Sequence, residues 1–197
     1  MELQPNKVMK IIVFSDVHDH LENLRKLFER EKDFDLGIFC GDFVSPFTAR
    51  EMAKYGKKII GVWGNNEGDR PSILKNIQGS KIEIGYPREI DLFGEKSFIF
   101  HNFGSIDQTI EFSKYLLSKY RFIFFGHTHR YSLFLTKESK VINYTKELEK
   151  KAIEINIHDF KSMAINPGEL CGWLTGAPTY IKITLKGERI RIELKKL

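Results

Sequence analysis

The chain has 197 residues, 42% of them hydrophobic and 29% charged, which is long enough for one globular domain with a sizeable core and too apolar for a disordered chain. Its apolar runs, IIVF at 11–14, LGIFC at 36–40 and FIFF at 122–125, fall far short of the roughly 18 residues that a membrane helix needs. The net charge of +5 comes from 31 basic residues spread among 26 acids, a solvated mixed surface rather than a nucleic-acid stripe.

The N-terminus, MELQPNKVMKIIVFSDV, carries no long apolar segment followed by a small-residue cleavage site, so the expected location is cytoplasmic and no membrane partner is expected. The two cysteines, Cys40 and Cys171, are then expected to stay reduced, Cys40 as a small core residue.

In chain order, the first half alternates strand and helix: strands at 8–16, 34–42 and 57–65 with helices between them. That rhythm predicts βαβ units around a parallel sheet buried on both faces. Asp19 and Glu22 read as a capping box for the first helix, whose Leu21, Leu24, Leu27 and Phe28 share one face. Ser45-Pro46 opens the second helix and Gly56 closes it; Ser105 with Gln108 caps a third, running to about Lys119. Short strands follow at 82–85, 88–94 and 95–101, the last two joined at Gly94 as a hairpin, and another at 121–125. The segment 136–160 is polar, highly charged and free of Gly and Pro, and reads as an insertion with a short helix at about 146–153, outside the core. The tail alternates on both sides of Lys186-Gly187-Glu188 and predicts a hairpin with one solvated face. Early βαβ units with late antiparallel strands predict a second sheet packed on the first.

The polar residues fall at strand ends. The first strand delivers Asp16-Val17-His18, the second Gly41-Asp42, the third Gly64-Asn65-Asn66, a later one His101, and the strand at 121–125 delivers Gly126-His127-Thr128-His129. Each alone has a structural explanation: Asp42 shapes a turn, Asn65-Asn66 suits a bend, and His101 satisfies itself in the core. Ligand sites in open α/β sheets lie beyond the carboxyl ends of the strands, however, so five such ends carrying Asp, Asn or His predict one shared site. In FFGHTH the i, i+2 spacing lets both imidazoles face one side, and Gly126 permits the sharp turn that presents them.

Together, DVH at 16–18, GD at 41–42, GNNEG at 64–68, His101 and GHTH at 126–129 resemble the calcineurin-like metallophosphoesterase superfamily, most closely its small archaeal and bacterial phosphodiesterases of the YfcE type. Asn166-Pro167-Gly168-Glu169-Leu170-Cys171-Gly172 resembles the NPG segment that follows GHTH in that group. The resemblance covers nearly the whole chain except the 136–160 insertion and implies an α/β fold, a four-layer αββα sandwich of two mixed sheets flanked by helices, with 1–197 expected as a single domain carrying that insertion. It also implies a dinuclear centre: Asp16, His18, Asp42 and His129 on one ion, Asn65, His101 and His127 with the shared Asp42 on the other. Imidazole, carboxylate and amide donors without thiolate suit Mn, Fe, Ni or Zn more than a structural Cys-zinc site; of these the resemblance implies Mn first. Two divalent ions, two carboxylates and a bridging hydroxide leave about +1, a charge that favours an anionic phosphate ester. The implied reaction is metal-dependent phosphodiester hydrolysis, with a bridging hydroxide attacking in line.

The chain departs from that pattern at Asn66, where many members carry a histidine that protonates the leaving group; an amide hydrogen-bonds but is no acid near neutral pH. Asp42 and Asn66 are thus the expected catalytic residues, with Asn66, Arg70 and Arg130 as candidate phosphate contacts. The expected partner is a small phosphate ester or phosphodiester; nucleic acid is not expected, and a homodimer is compatible. The rival reading is a non-catalytic or weakly catalytic metal-binding scaffold that mediates protein interactions, for which the missing histidine at 66 speaks and the intact ligand set does not.

Overall fold

A computed structural model describes residues 8–197. The N-terminal reading above falls partly on residues 1–7, outside the described residues. Among the described residues no helix is long and apolar enough to cross a membrane.

The first half follows the expected alternation: β1 (Val8–Phe14), α1 (Leu21–Arg30), β2 (Leu36–Phe39), α2 (Pro46–Ala53), β3 (Ile59–Val62), α3 (Arg70–Ile77) and β4 (Ile82–Gly85). Then come β5 (Arg88–Leu92), β6 (Glu95–Ile99), α4 (Ile106–Leu116), β7 (Phe122–Phe124), β8 (Tyr131–Lys137) and β9 (Lys140–Asn143). The chain finishes with α5 (Thr145–Lys150), β10 (Ile153–Asn156), β11 (Ser162–Pro167), β12 (Thr179–Lys186) and β13 (Arg189–Lys196). One mixed sheet has the order β10-β13-β12-β1-β2-β3-β4 and the other β5-β6-β7-β11-β8-β9.

Side-chain alternation on the central strands builds the layers. On β1, Ile11 and Val13 enter a cluster with Phe122, Phe124, Leu133 and Ile165 from the second sheet. Ile12 and Phe14 point the other way, onto Leu24, Leu27 and Phe28 of α1 and Ala49 and Met52 of α2. Ile123 and Phe125 likewise leave the inter-sheet space and meet Leu116 of α4. Three apolar interfaces separate four layers, so the fold is the expected αββα sandwich. A strand buried on both faces needs apolar residues at every position, which is why residues 11–14 of β1, β2 and β7 read as unbroken apolar runs.

Four local expectations need correction. Asp19 does not cap α1: it is left-handed (φ 58°), and its carboxylate accepts from Ser45 Oγ at 2.5 Å and Thr48 Oγ1 at 2.7 Å, tying the β1 loop to α2. His20 caps α1 instead, its Nδ1 accepting from the Asn23 N–H at 3.3 Å. The capping box at Ser105 and Gln108 is present, but α4 stops at Leu116 rather than about Lys119. The helix α3 is additional to the expected elements; Asp69 accepts from Ser72 N–H ahead of Pro71, a start signal of the usual kind.

The fourth concerns residues 136–160, which are not outside the core. Leu148, Ile153, Ile155, Ile157 and Phe160 are buried in the inter-sheet cluster. The segment extends both sheets, β9 pairing with β8 and β10 with β13, and its helix covers 145–150 rather than 146–153. Its lysines and glutamates sit on the outward positions of short edge elements, which masks the apolar alternation. Both cysteines are buried and free, as expected.

Candidate metal centre

The β1, β2 and β3 loops, His101 just beyond β6 and the turn after β7 converge at one edge of the sandwich. Ligand-bearing residues there adopt a backbone that non-glycine residues rarely take: φ is 53° at Asp16, 44° at His18, 64° at Asp42, 70° at His127 and 57° at His129. Left-handed residues held by surrounding structure cluster at functional sites. Here they are held by backbone bonds from Asp16 N–H to Gly41 O (2.9 Å) and from Val17 N–H to Asp42 O (2.8 Å).

Glycines make the close approach possible. A Cβ on Gly64 would lie 2.0 Å from Asp42 Oδ1, and one on Gly126 would lie 2.2 Å from Ser15 Oγ and 2.8 Å from His101 Nδ1. This is the reason FFGHTH carries a glycine between its apolar run and its histidines.

Asp42 is the hub. Its Oδ2 lies 3.4 Å from His18 Nε2 and 3.3 Å from His101 Nε2. Asp16 Oδ1 lies 3.3 Å from His129 Nε2 and 3.8 Å from His18 Nε2. His101 donates Nδ1–H to the Cys40 carbonyl at 2.7 Å, which turns Nε2 toward Asn65 Oδ1 at 3.0 Å and toward Asp42. The donor atoms of Asp16, His18 and His129 lie within 4.8 Å of one another, as do those of Asp16, Asp42 and His101. His127 lines the cleft, its ring 5.4 Å from that of His101.

This geometry fits divalent ions. Among the described residues, Asp16 Oδ1 and His18 Nε2 are buried without a hydrogen-bond partner, which is costly unless a cation satisfies them. His101 Nε2 faces Asn65 Oδ1 and Asp42 Oδ2, oxygen atoms that, like itself, can act as metal donors. In the bare site the imidazole meets this by holding a proton: burial opposes it, but the hydrogen bond to Asp42 and the charges of Asp16 and Asp42 raise His101 to about 9. Burial would raise Asp42, yet the His101 hydrogen bond and charge and two bonds from Asn66 hold it well below the usual carboxylate range. Burial and the neighbouring His101 charge push His127 down.

The remaining expected residues divide. Asn66 is committed to Asp42, donating its backbone N–H to Oδ1 at 3.0 Å and its side-chain amide to Oδ2 at 2.7 Å. Arg70 lies over the rings of Trp63 and Tyr86, and Arg130 lines a separate cavity of about 430 Å³ with Tyr131, Lys146 and Lys196. Neither arginine is among the residues lining the metal cleft of about 570 Å³.

Two buried carboxylates escaped the sequence reading. Glu67 Oε1 accepts from the backbone N–H of Asp42 (2.8 Å) and Phe43 (3.2 Å), fixing the hub's main chain; burial and the Asp42 charge raise its pKa. Glu169 accepts His129 Nδ1–H at 2.7 Å, fixing that ring's tautomer with Nε2 aimed at Asp16. An acid directly after a metal-type motif (GNNEG) or an NPG turn was the available signal for both.

Residues 9–188 match the family model described as the calcineurin-like phosphoesterase superfamily domain. The chain belongs to that superfamily. It is 32% identical over 176 residues to phosphodiesterase MJ0936 of Methanocaldococcus jannaschii, covering 87% of this chain and 90% of the relative. A solved archaeal phosphodiesterase superposes with a TM-score of 0.69 at 29% identity, covering 95% of this chain and all of the other. Vacuolar protein sorting 29 from Cryptosporidium parvum shares the fold, with a TM-score of 0.58 at 14% identity over 96% of this chain and 98% of its own. This calcineurin-like protein is therefore a metal-dependent phosphoesterase, a phosphoric ester hydrolase whose family binds divalent metals and whose ligand-type side chains are gathered at one edge.

Proposed function

We propose that this phosphoesterase is a single metallophosphoesterase domain over residues 1–197 that hydrolyses phosphodiester bonds at a dinuclear centre. Asp16, His18, Asp42 and His129 would hold one ion and Asp42, Asn65, His101 and His127 the other, with Mn preferred. The observation that carries the reading is the position of Asp42 Oδ2, between the Nε2 atoms of His18 and His101, where one oxygen can serve two ions. Held by these residues, a pair of divalent ions would supply a hydroxide nucleophile at neutral pH and would neutralise charge on the phosphoryl oxygens.

The chain's own part is positioning. The Cys40 carbonyl and the Glu169 carboxylate each hold the Nδ1–H of a ligand histidine, so that Nε2 faces the centre. Asn66 holds both oxygens of Asp42 in place and so orients the shared ligand. In that role it leaves protonation of the departing alkoxide to water, since an amide is no acid. The intact ligand set, with Asp16, Asp42 and His101 buried, supports catalysis over the scaffold reading.

The test is purified protein stripped of metal, reloaded with Mn, Ni, Fe or Zn, and assayed on paired aryl phosphodiesters and monoesters with metal content measured. Asp42→Ala is expected to lose bound metal and diester hydrolysis together. Diesterase activity that survives Asp42→Ala would remove Asp42 from the centre, and full metal loading without hydrolysis of any ester would favour the scaffold.

A further inference from the structure

Trp173 and Leu174 are two of the most exposed apolar side chains in the described structure, at 63% and 74%. Folding alone gives no reason to hold such a pair in water. They are nonetheless held: the N–H of Leu174 donates to Glu169 at 2.9 Å, and Thr175 donates its N–H at 2.5 Å and its hydroxyl at 2.7 Å to the same carboxylate. Because Glu169 also fixes His129, the loop carrying this pair is anchored to a metal ligand. The indole lies 5.5 Å from the His18 ring, and Leu174 and an exposed Ile106 both line the cleft that holds Asp42, His127 and His129. Among the described residues lining the cleft there is no lysine or arginine, and Asp107 adds a negative charge.

We infer that Trp173, Leu174 and Ile106 form an apolar clamp for an uncharged aromatic or aliphatic ester group of the substrate, and that they select against substrates with a second anionic group. This rests on the phosphodiesterase reading and names its substrate class. The phosphoryl group belongs at the ligands. The clamp lies where a group esterified to that phosphate would extend, and the acidic, arginine-free lining disfavours polyphosphates.

The test uses diesters that share a p-nitrophenyl leaving group and differ only in the other group: phenyl, methyl or 3-carboxyphenyl. With the leaving group constant, differences report recognition. Burying a phenyl ring rather than a methyl against the clamp is expected to lower KM about tenfold, with the carboxyphenyl ester losing that gain. In Trp173→Ala and in Trp173→Ala/Leu174→Ala, both at exposed positions, the phenyl-to-methyl ratio is expected to collapse toward one.

A binding readout stands apart from turnover. With Trp63→Phe, Trp173 is the sole tryptophan of the chain, and diphenyl phosphate is expected to quench it. Hydrolysis without quenching, or a phenyl preference unchanged in the variants, overturns the clamp. Quenching without hydrolysis of any diester upholds the clamp and overturns the hydrolase reading. A dimer that Trp173→Ala converts to monomer in sedimentation would assign the pair to a second copy instead and overturn the proposal.

Discussion

Replacing Glu169 with alanine tests how the centre is supported without touching a metal ligand. The carboxylate is fully buried and accepts from His129 Nδ1–H, Leu174 N–H, Thr175 N–H and Thr175 Oγ–H, with a weak further bond from the Cys171 thiol. Leu174 and Thr175 are exposed, so their donors can turn to water once the carboxylate is gone. The His129 donor is half-buried and cannot do so freely. One lost charge-assisted bond costs about 1.5–3 kcal/mol, and the void left by the side chain adds about 1 kcal/mol. We expect Glu169→Ala to lose about 2.5–4 kcal/mol of stability in urea unfolding of metal-free protein, and to bind metal about 10–100-fold more weakly. The sign with pH follows from a folded pKa lowered from 4.5 to about 2, where burial is outweighed by bonds from His129 and Thr175. Its contribution is complete above 4.5 and is lost as pH falls toward 2, so the variant should show a shallower acid slope in that window. A variant within about 1 kcal/mol of wild type in urea, with unchanged metal affinity, would refute this account of the support.

His101, raised from 6.5 to about 9 in the bare site, stabilises the metal-free fold fully below 6.5 and loses that contribution as pH rises through 9. Thermal unfolding of chelator-treated protein should fall across that range while metal affinity, measured by titration calorimetry, rises, because the ligating nitrogen must shed its proton. Lacking an acid at position 66, the enzyme should show a steep dependence of kcat on leaving-group pKa across a series of aryl diesters, and Asn66→His should flatten it; a flat wild-type series refutes the role assigned to Asn66. Gly126→Ala would place a Cβ 2.7 Å from the Cys40 carbonyl and 2.8 Å from His101 Nδ1, so chemical denaturation should show a loss of about 1–3 kcal/mol or more, accompanied by weaker metal binding.

The parts of the fold legible from sequence were those where burial is two-sided. β1, β2, β3 and β7 are flanked by apolar layers on both faces, so composition alone marks them. β8 and β11 are also well buried, but the residues around them carry the site's polar groups and blur the run, and neither was anticipated. At 136–160 the apolar period of Ile153, Ile155 and Ile157 was present but diluted by outward lysines and glutamates. The convergence of the candidate ligand residues is legible because strand-end placement converts sequence order into spatial proximity. Glu169 was not, since its partner His129 is 40 residues away and only the β8–β11 pairing closes that distance. Arg70 and Arg130 show the converse: adjacency to a motif does not say where a side chain points, and aromatic faces and a second cavity claim them.

The left-handed backbone ties these observations together. Asp16, His18, Asp42, His127 and His129 all have positive φ, at a cost of about 1 kcal/mol each. That sum is comparable to the net stability of a typical domain, roughly 5–15 kcal/mol. A sequence selected for folding alone would put glycine at such turns or straighten them. Here each position keeps a side chain able to ligate a metal and is held by bonds whose other ends are also in the site: Asp16 N–H on Gly41 O, Asp42 N–H on Glu67, and His127 N–H on Asp16 Oδ2. Removing any one of these bonds relaxes a turn and displaces a donor in the same movement. Stability and metal geometry should therefore fail together in variants such as Glu67→Ala, whereas a surface variant such as Lys75→Ala, on the outward face of α3, should move neither.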